Sequence, residues 1–513
     1  MQDSPSPSPK VAVIGGGPAG LTAAYELIRG GGPAPTVYEA SDHLGGIART
    51  ENHQGYRADI GGHRFFTKVQ QVEDLWHEVM GDDFITVPRM SRIYYRGKFY
   101  SYPLQAFNAL SNLGLKESLH IIASYCKWKL FPSPVEETFE QWVTNRFGGR
   151  LYYHFFRTYT EKVWGVPCTE IRADWAAQRI KDLSLKKAVL NAFFGSHKTT
   201  SLIEEFKYPP LGPGQMWERF GELIENAGGT VAMEAPVIKV RRDGNRVTSI
   251  DVKDRTQPDA PAKTIEADQF VSSMAITHLI KALDPPPPAE VFEAAANLKY
   301  RDFLIVNLVI DHADPFPDNW IYVHSPDVQV GRIQNFRAWS QVMVPREDHA
   351  SIGMEYFCQK DDGLWSSSDE DLVALAAKEL EQLGLAPAAS VVDGFVIRQP
   401  MAYPVYDAVY RENLDIVKDW LITLDNLQTV GRNGQHRYNN QDHSMLSAML
   451  AARNILGETH DIWNVNVERS YHEEFVTKKD APQNGAAAPA PSSAGQPATQ
   501  ASFEASTPYR NAS

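Results

Sequence analysis

Cysteine is scarce: Cys126, Cys168 and Cys358 are the three in 513 residues, and they lie far apart. This spacing fits neither a zinc motif nor a disulfide framework and suits a reducing compartment, with each thiol expected as buried filler and no metal. Long apolar runs are missing as well. The longest, such as Phe303–Ile310, fall far short of the roughly 20 residues of a membrane-crossing helix. Met1–Lys10 is polar and repeats Ser-Pro instead of carrying a signal-peptide core, so a soluble, cytoplasmic protein is expected. No run of lysine or arginine offsets the formal net charge of −13, which argues against nucleic-acid binding. A small anionic ligand remains compatible, because a few buried arginines reverse the sign locally. No internal repeat is present.

What is there is ordinary globular composition, 43% hydrophobic and 22% charged, in a chain long enough for more than one core. The periodicities predict strands over Lys10–Ile14 and Thr36–Glu39 around a helix over Pro18–Arg29. A helix-rich stretch follows from Val69 to Lys198. Within it, Leu119–Leu130 has an amphipathic pattern, read as a core helix in preference to one touching a membrane. Strands return at Val231–Glu234, Val237–Arg241, Val247–Val252 and Gln269–Ser273, then at Phe303–Asp311 and Ser351–Cys358. The strand Leu427–Gly431 and the helix His443–Leu456 close the ordered part. Met1–Pro9 and Asp480–Ser513, rich in Ser, Pro, Ala and Gln, are expected to be disordered.

The chemistry begins at Gly15-Gly16-Gly17-Pro18-Ala19-Gly20, between strand and helix. Gly15 permits the tight turn, Gly17 lets backbone approach a pyrophosphate, and Gly20 lets helix and strand pack closely. The helix N-terminus offers free N–H groups to phosphate, and Glu39, ending the next strand, is placed to hold ribose hydroxyls. A second glycine pair, Gly45-Gly46, with Arg49 near the pyrophosphate, points to FAD rather than NAD. That arrangement looks like the one in flavin amine oxidases and their relatives. In those families the loop after Gly431-Arg432, reaching Gln441-Asp442-His443-Ser444, closes over the flavin. Val237 joins this cofactor-binding set.

Asp59-Ile60-Gly61-Gly62-His63-Arg64 resembles the flavin-contacting loop of UDP-galactopyranose mutases, and the likeness continues in order to Leu456. Tyr102 and Gln105 match the segment that cradles uracil there, and Trp164 lies in a segment like the aromatic helix beside the flavin. Arg179 and Arg332 stand where the family grips the diphosphate, Tyr322 where it has an active-site tyrosine, and Tyr403 and Tyr438 where it has two diphosphate tyrosines. Asn440 sits in the Asn-Gln-Asp-His-Ser run of the eukaryotic-type members. Arg64, Ser184–Lys187 and Arg337–Trp339 depart from the family pattern around the sugar and base.

The resemblance implies an α/β fold: a Rossmann-type FAD-binding domain from discontinuous segments (10–68, 200–275 and 425–458), a helical insertion (69–199) and an antiparallel-sheet substrate domain (276–424), between tails at 1–9 and 480–513. It implies a mutase, possible as a homo-oligomer, that interconverts pyranose and furanose forms of a nucleotide sugar, most simply UDP-galactose. Catalysis is then nucleophilic, from N5 of FAD reduced by NAD(P)H, with His63 at the isoalloxazine. The alternative is an FAD-dependent oxidoreductase of the amine oxidase, desaturase or protoporphyrinogen oxidase type, which needs no paired diphosphate arginines.

Overall fold

Val11-Ala12-Val13-Ile14 is buried at every position, the pattern of a strand covered on both faces. In the computed structural model, which describes residues 9–102, 104, 106–173 and 205–465, this strand is the middle of a five-stranded parallel sheet. The order is Leu427–Thr429, Gln269–Ser272, Val11–Ile14, Thr36–Tyr38, Thr230–Ala232. The chain leaves Val11–Ile14 toward one side, through the helix Pro18–Arg29 to Thr36–Tyr38 with Thr230–Ala232 beyond it, and Gln269–Ser272 and Leu427–Thr429 fill the other. A crevice therefore opens above the carboxyl end of Val11–Ile14, where such sheets bind ligands. Pro18–Arg29 buries Leu21, Ala24 and Leu27 and packs against the helices Gly214–Asn226 and Gln441–Ile455.

A four-stranded sheet of Lys263–Glu266, Arg246–Val252, Val237–Asp243 and Leu283–Asp284 lies in the same apolar core. The largest sheet has seven strands: Val391–Pro404, Tyr300–Ile310, Ala350–Cys358, Arg332–Asn335, Trp320–Val323, Ser91–Tyr95 and Lys98–Ser101. All its pairings are antiparallel except Trp320–Val323 with Ser91–Tyr95. One face buries Leu304, Val306, Ile333, Ile352 and Met354, while the other meets the aromatic core that carries the site. The fold is α/β, as the sequence implies.

The stretch after residue 69 is mostly helical, but it also gives the strands Ile85–Pro88, Ser91–Tyr95 and Lys98–Ser101. Arg96 and Gly97 both take positive φ, 49° and 74°, making the tight turn that joins the last two. Two expectations need correction. Cys126 is exposed, unlike buried Cys168 and Cys358. The helix over Leu119–Leu130, extended to Leu115, turns most of its apolar residues outward instead of into the core. Among the described residues, no helix is long and apolar enough to cross a membrane.

Candidate active site

The nucleotide cradle is built by backbones in close approach. A Cβ on Gly20 would stand 1.8 Å from the Gly15 carbonyl oxygen, so helix and loop touch only because Gly20 has no side chain. Gly17 caps the helix with no side-chain acceptor, leaving first-turn amides free for phosphate. Glu39 accepts from the Gly16 amide at 2.6 Å and from the Ser41 amide and hydroxyl at 2.8 Å each. The second glycine pair closes on the first: the Gly45 amide donates to Gly16 O at 2.8 Å, and Gly46 comes against the Gly17 Cα. Arg49 ties this pair to the large sheet, donating to Gly46 O at 2.9 Å, to Gln399 at 2.8 Å and to Glu51 at 2.6 Å.

From the far end of the chain, Gly431 (φ 81°) meets Ala19, and its amide donates to the Ser447 hydroxyl at 3.0 Å. Gln441 accepts from Trp217 at 3.2 Å, and Ser444 is buried in the same helix. Val237 is buried two residues after Ala235, whose amide donates to Glu39 O at 2.7 Å.

Beside the cradle, Asp59 anchors the Gly61-Gly62-His63 loop. It is fully buried and accepts from Thr50 at 2.8 Å and from the Tyr208 hydroxyl. Burial pushes its carboxyl up to about 7 against these two hydrogen bonds. Below about 4 the folded and unfolded chains both hold this proton, and between about 4 and about 7 only the folded chain does. Stability from the protonated group is thus complete at low pH and lost as pH rises through about 7. Asp59→Asn is expected to flatten that decline, measured as urea midpoints between about pH 5 and about pH 8.

The loop runs directly onto Trp320, since a Cβ on Gly62 would fall 1.8 Å from the indole. Trp320 stacks on Tyr322 with centroids 5.5 Å apart, and Tyr322 meets Tyr102 at 4.6 Å. Register puts Tyr322, Arg332 and Glu355 opposite one another on three adjacent strands, hence on one face. Arg332 donates to the Tyr403 hydroxyl at 2.7 Å, and its Nε lies 2.5 Å from Glu355 Oε2. That second contact is an ion pair by distance, but its N–H is not aligned as a hydrogen bond. Gln334 holds the other Glu355 oxygen at 2.7 Å.

Tyr403 stacks on Tyr438 at 5.6 Å, and Trp164 lies 6.4 Å and 6.3 Å from these rings. Arg432 lies over Tyr438 at 4.6 Å and over Tyr403 at 5.5 Å. Its hydrogen bonds go to the Asn439 and Ala402 carbonyls, and among the described residues no carboxylate pairs with it. The cluster thus holds two guanidinium groups and one carboxylate, Glu355, which pairs with Arg332. Burial pushes the Tyr403 hydroxyl up to about 12, keeping it a donor. Burial first, then Arg432, holds His63 down to about 3, so its imidazole is neutral.

The structure therefore joins His63, Trp164, Tyr322, Arg332, Tyr403 and Tyr438 in one cluster, with Tyr102 at its edge. Asn440 stands apart, exposed at the start of the helix Gln441–Ile455. Arg179 and Gln105 lie outside the described residues, as do residues 1–8, Ser184–Lys187 and the tail after 480. Of the residues that depart from the family pattern, Arg64 reaches over Trp320 at 5.9 Å, and Trp339 is buried, donating to Asn319 O at 2.8 Å. Sequence reasoning missed Glu355 and Gln334, and named Asp59 only as the start of the flavin-loop element without a role. The signal for Glu355 was a lone acid in the apolar strand Ala350–Cys358.

The same face fits an isoalloxazine. His63 Nδ1, Trp320 Nε1 and Gln334 Oε1 are buried with no hydrogen-bond partner among the described residues, and such groups need one. A dinucleotide cradle beside a loop and a sheet that carry these orphaned polar atoms is what a flavin enzyme needs. Over residues 18–456 the chain matches, and belongs to, the family of flavin containing amine oxidoreductases, which implies FAD. Coproporphyrinogen III oxidase of Mycobacterium tuberculosis is 24% identical over 414 residues, 77% of this chain and 86% of that protein. Among solved structures, a reduced UDP-galactopyranose mutase superposes with TM-score 0.79 at 20% identity, covering 91% of this chain and all of that one. A putative protoporphyrinogen oxidase from Exiguobacterium gives 0.66 at 17% identity, covering 88% and 99%.

Proposed function

We propose that this flavin enzyme is a mutase interconverting the pyranose and furanose forms of a nucleotide-linked hexose, most simply UDP-galactose. The observation that carries the reading is the net positive, phenol-lined cluster of Arg332, Arg432, Tyr403 and Tyr438 beside the flavin loop. A nucleotide sugar brings a doubly charged diphosphate, and charge-assisted hydrogen bonds from guanidinium and phenol groups match it. The fold likeness to a UDP-galactopyranose mutase supports the same reading.

Gly15, Gly17, Gly20, Glu39, Gly45, Gly46 and Gly431 would hold FAD, with His63, Trp320 and Gln334 at its ring. Bound and reduced, by NAD(P)H in this proposal, FAD supplies an electron-rich nitrogen for nucleophilic catalysis at the anomeric carbon. The chain's own task is to hold the leaving diphosphate. Arg332 and Arg432 stabilise its charge, the protonated hydroxyls of Tyr403 and Tyr438 donate to it, and Trp164 shields it from water. Arg179 is proposed as a further diphosphate ligand, Tyr102 and Gln105 as contacts to the base, and Tyr322 and Asn440 as substrate contacts. Neutral His63 contributes a hydrogen bond and no charge.

A redox reading has its own support. Glu355 already neutralises Arg332, and an oxidase matches most of the chain. Incubating dithionite-reduced enzyme with UDP-galactofuranose and separating the products distinguishes the two. Pyranose formed by reduced enzyme alone is the expected result. No isomerisation under reduction moves the protein to the oxidoreductases.

A further inference from the structure

The helix Leu115–Leu130 is turned inside out. Ser118 faces inward, its hydroxyl donating to the Leu110 and Gly114 carbonyls at 2.9 Å each, and it shares the buried side with Ile121. Leu115, Leu119, Ile122, Cys126 and Leu130 recur every three or four residues and fall within an arc of about 80°. That arc points to solvent: Leu115 is 79% exposed, Leu119 59%, and Leu130 and the following Phe131 73% each. Soluble chains rarely leave a contiguous apolar stripe uncovered.

The charges around the stripe say what covers it. Lys116 and Lys127 flank one side of the arc and Lys129 the other, all exposed. The helix's one acid, Glu117, turns away and pairs with Arg150 and His154 at 2.5 Å and 2.8 Å. An apolar strip flanked by three lysines, with no acid of its own helix on the exposed arc and with Glu136 near Lys129 already paired to Arg146, on a chain of net charge −13, is the pattern of a helix lying in a lipid interface. With 16 residues it is too short to cross a bilayer but long enough to lie along one. A second copy of the same face would set these lysines near their own counterparts, which disfavours self-association.

We propose that this face docks the protein on a membrane surface bearing anionic phospholipid headgroups, with Leu115, Leu119, Ile122, Leu130 and Phe131 entering the acyl boundary. The inference is independent of the reaction proposed above.

Co-sedimentation of the full-length, FAD-loaded protein with vesicles tests it. Binding is expected to phosphatidylglycerol–phosphatidylcholine vesicles, weakening as salt rises, and much less to phosphatidylcholine alone. Leu119→Glu with Ile122→Glu is expected to cut binding by about tenfold or more, since both residues would leave the apolar boundary. Flavin absorbance and turnover should stay unchanged, which shows that the variant is folded. Lys127→Glu alone is expected to cost roughly fivefold. An environment-sensitive dye on Cys126, the exposed cysteine, should shift to the blue with anionic vesicles. Failure to sediment with them, equal binding by the double-glutamate variant, or an unshifted dye overturns the proposal. A dimer that the double-glutamate variant dissolves, without vesicle binding, also overturns it and assigns the face to a second copy.

Discussion

Gly20→Val is expected to yield a colourless protein. The cradle exists because the first turn of Pro18–Arg29 rests on the Gly15 carbonyl, and a Cβ there stands 1.8 Å from that oxygen and 3.0 Å from its carbon. Backbone cannot swing aside as a flexible side chain does, so the helix must lift from the loop. Forced overpacking commonly costs about 1–3 kcal/mol, and the loss here falls on the geometry that aims amides at the pyrophosphate. Flavin absorbance after purification and reconstitution reads the outcome. Gly363→Ala is the control, since nothing stands within 4 Å of its Cβ. Full flavin content in Gly20→Val would show that the cradle tolerates a side chain there.

Arg332→Ala is expected to lower both turnover and stability. Glu355 is fully buried beside it, and removing one partner of a buried pair typically costs about 3–5 kcal/mol because the other charge is stranded. Turnover should fall more than tenfold if Arg332 also holds the diphosphate. Replacing both partners, Arg332→Met with Glu355→Leu, separates the two roles. Stability should largely return, since apolar replacements of buried pairs are often neutral, while turnover stays low. Recovery of both together would reduce Arg332 to a structural ion pair. Thermal midpoints and product chromatography on the same preparations give both answers.

These two residues also mark what the sequence made legible. Gly20 was readable because a steric requirement between neighbours in sequence leaves a local motif. Arg332 was singled out only through resemblance, and its partner Glu355 was not, because their contact depends on the register of two strands that are joined by a loop and a short helix. The hairpin at Arg96-Gly97 was hidden for a related reason. Its strands are short and aromatic, between helices, and the pairing with Trp320–Val323 that stabilises them is distant. Val391–Pro404, the longest strand among the described residues, was hidden by Gly394 and Pro400, residues that usually mark a strand's end. For Leu115–Leu130, periodicity gives an apolar face but says nothing about whether that face looks inward.

The central parallel sheet joins strands that start at residues 11, 36, 230, 269 and 427. During synthesis its middle strand leaves the ribosome early, its second neighbour Gln269–Ser272 follows much later, and the edge strand comes from near the far end of the described chain. Until Leu427–Thr429 arrives, Gln269–Ser272 has an open edge, and the crevice lacks the glycine that closes it. Such non-local pairing folds slowly and leaves sticky edges exposed meanwhile. A nascent chain of this design keeps an aggregation-prone edge until its last strand is made, and a prematurely terminated one lacks the strand and the glycine that complete the cofactor crevice.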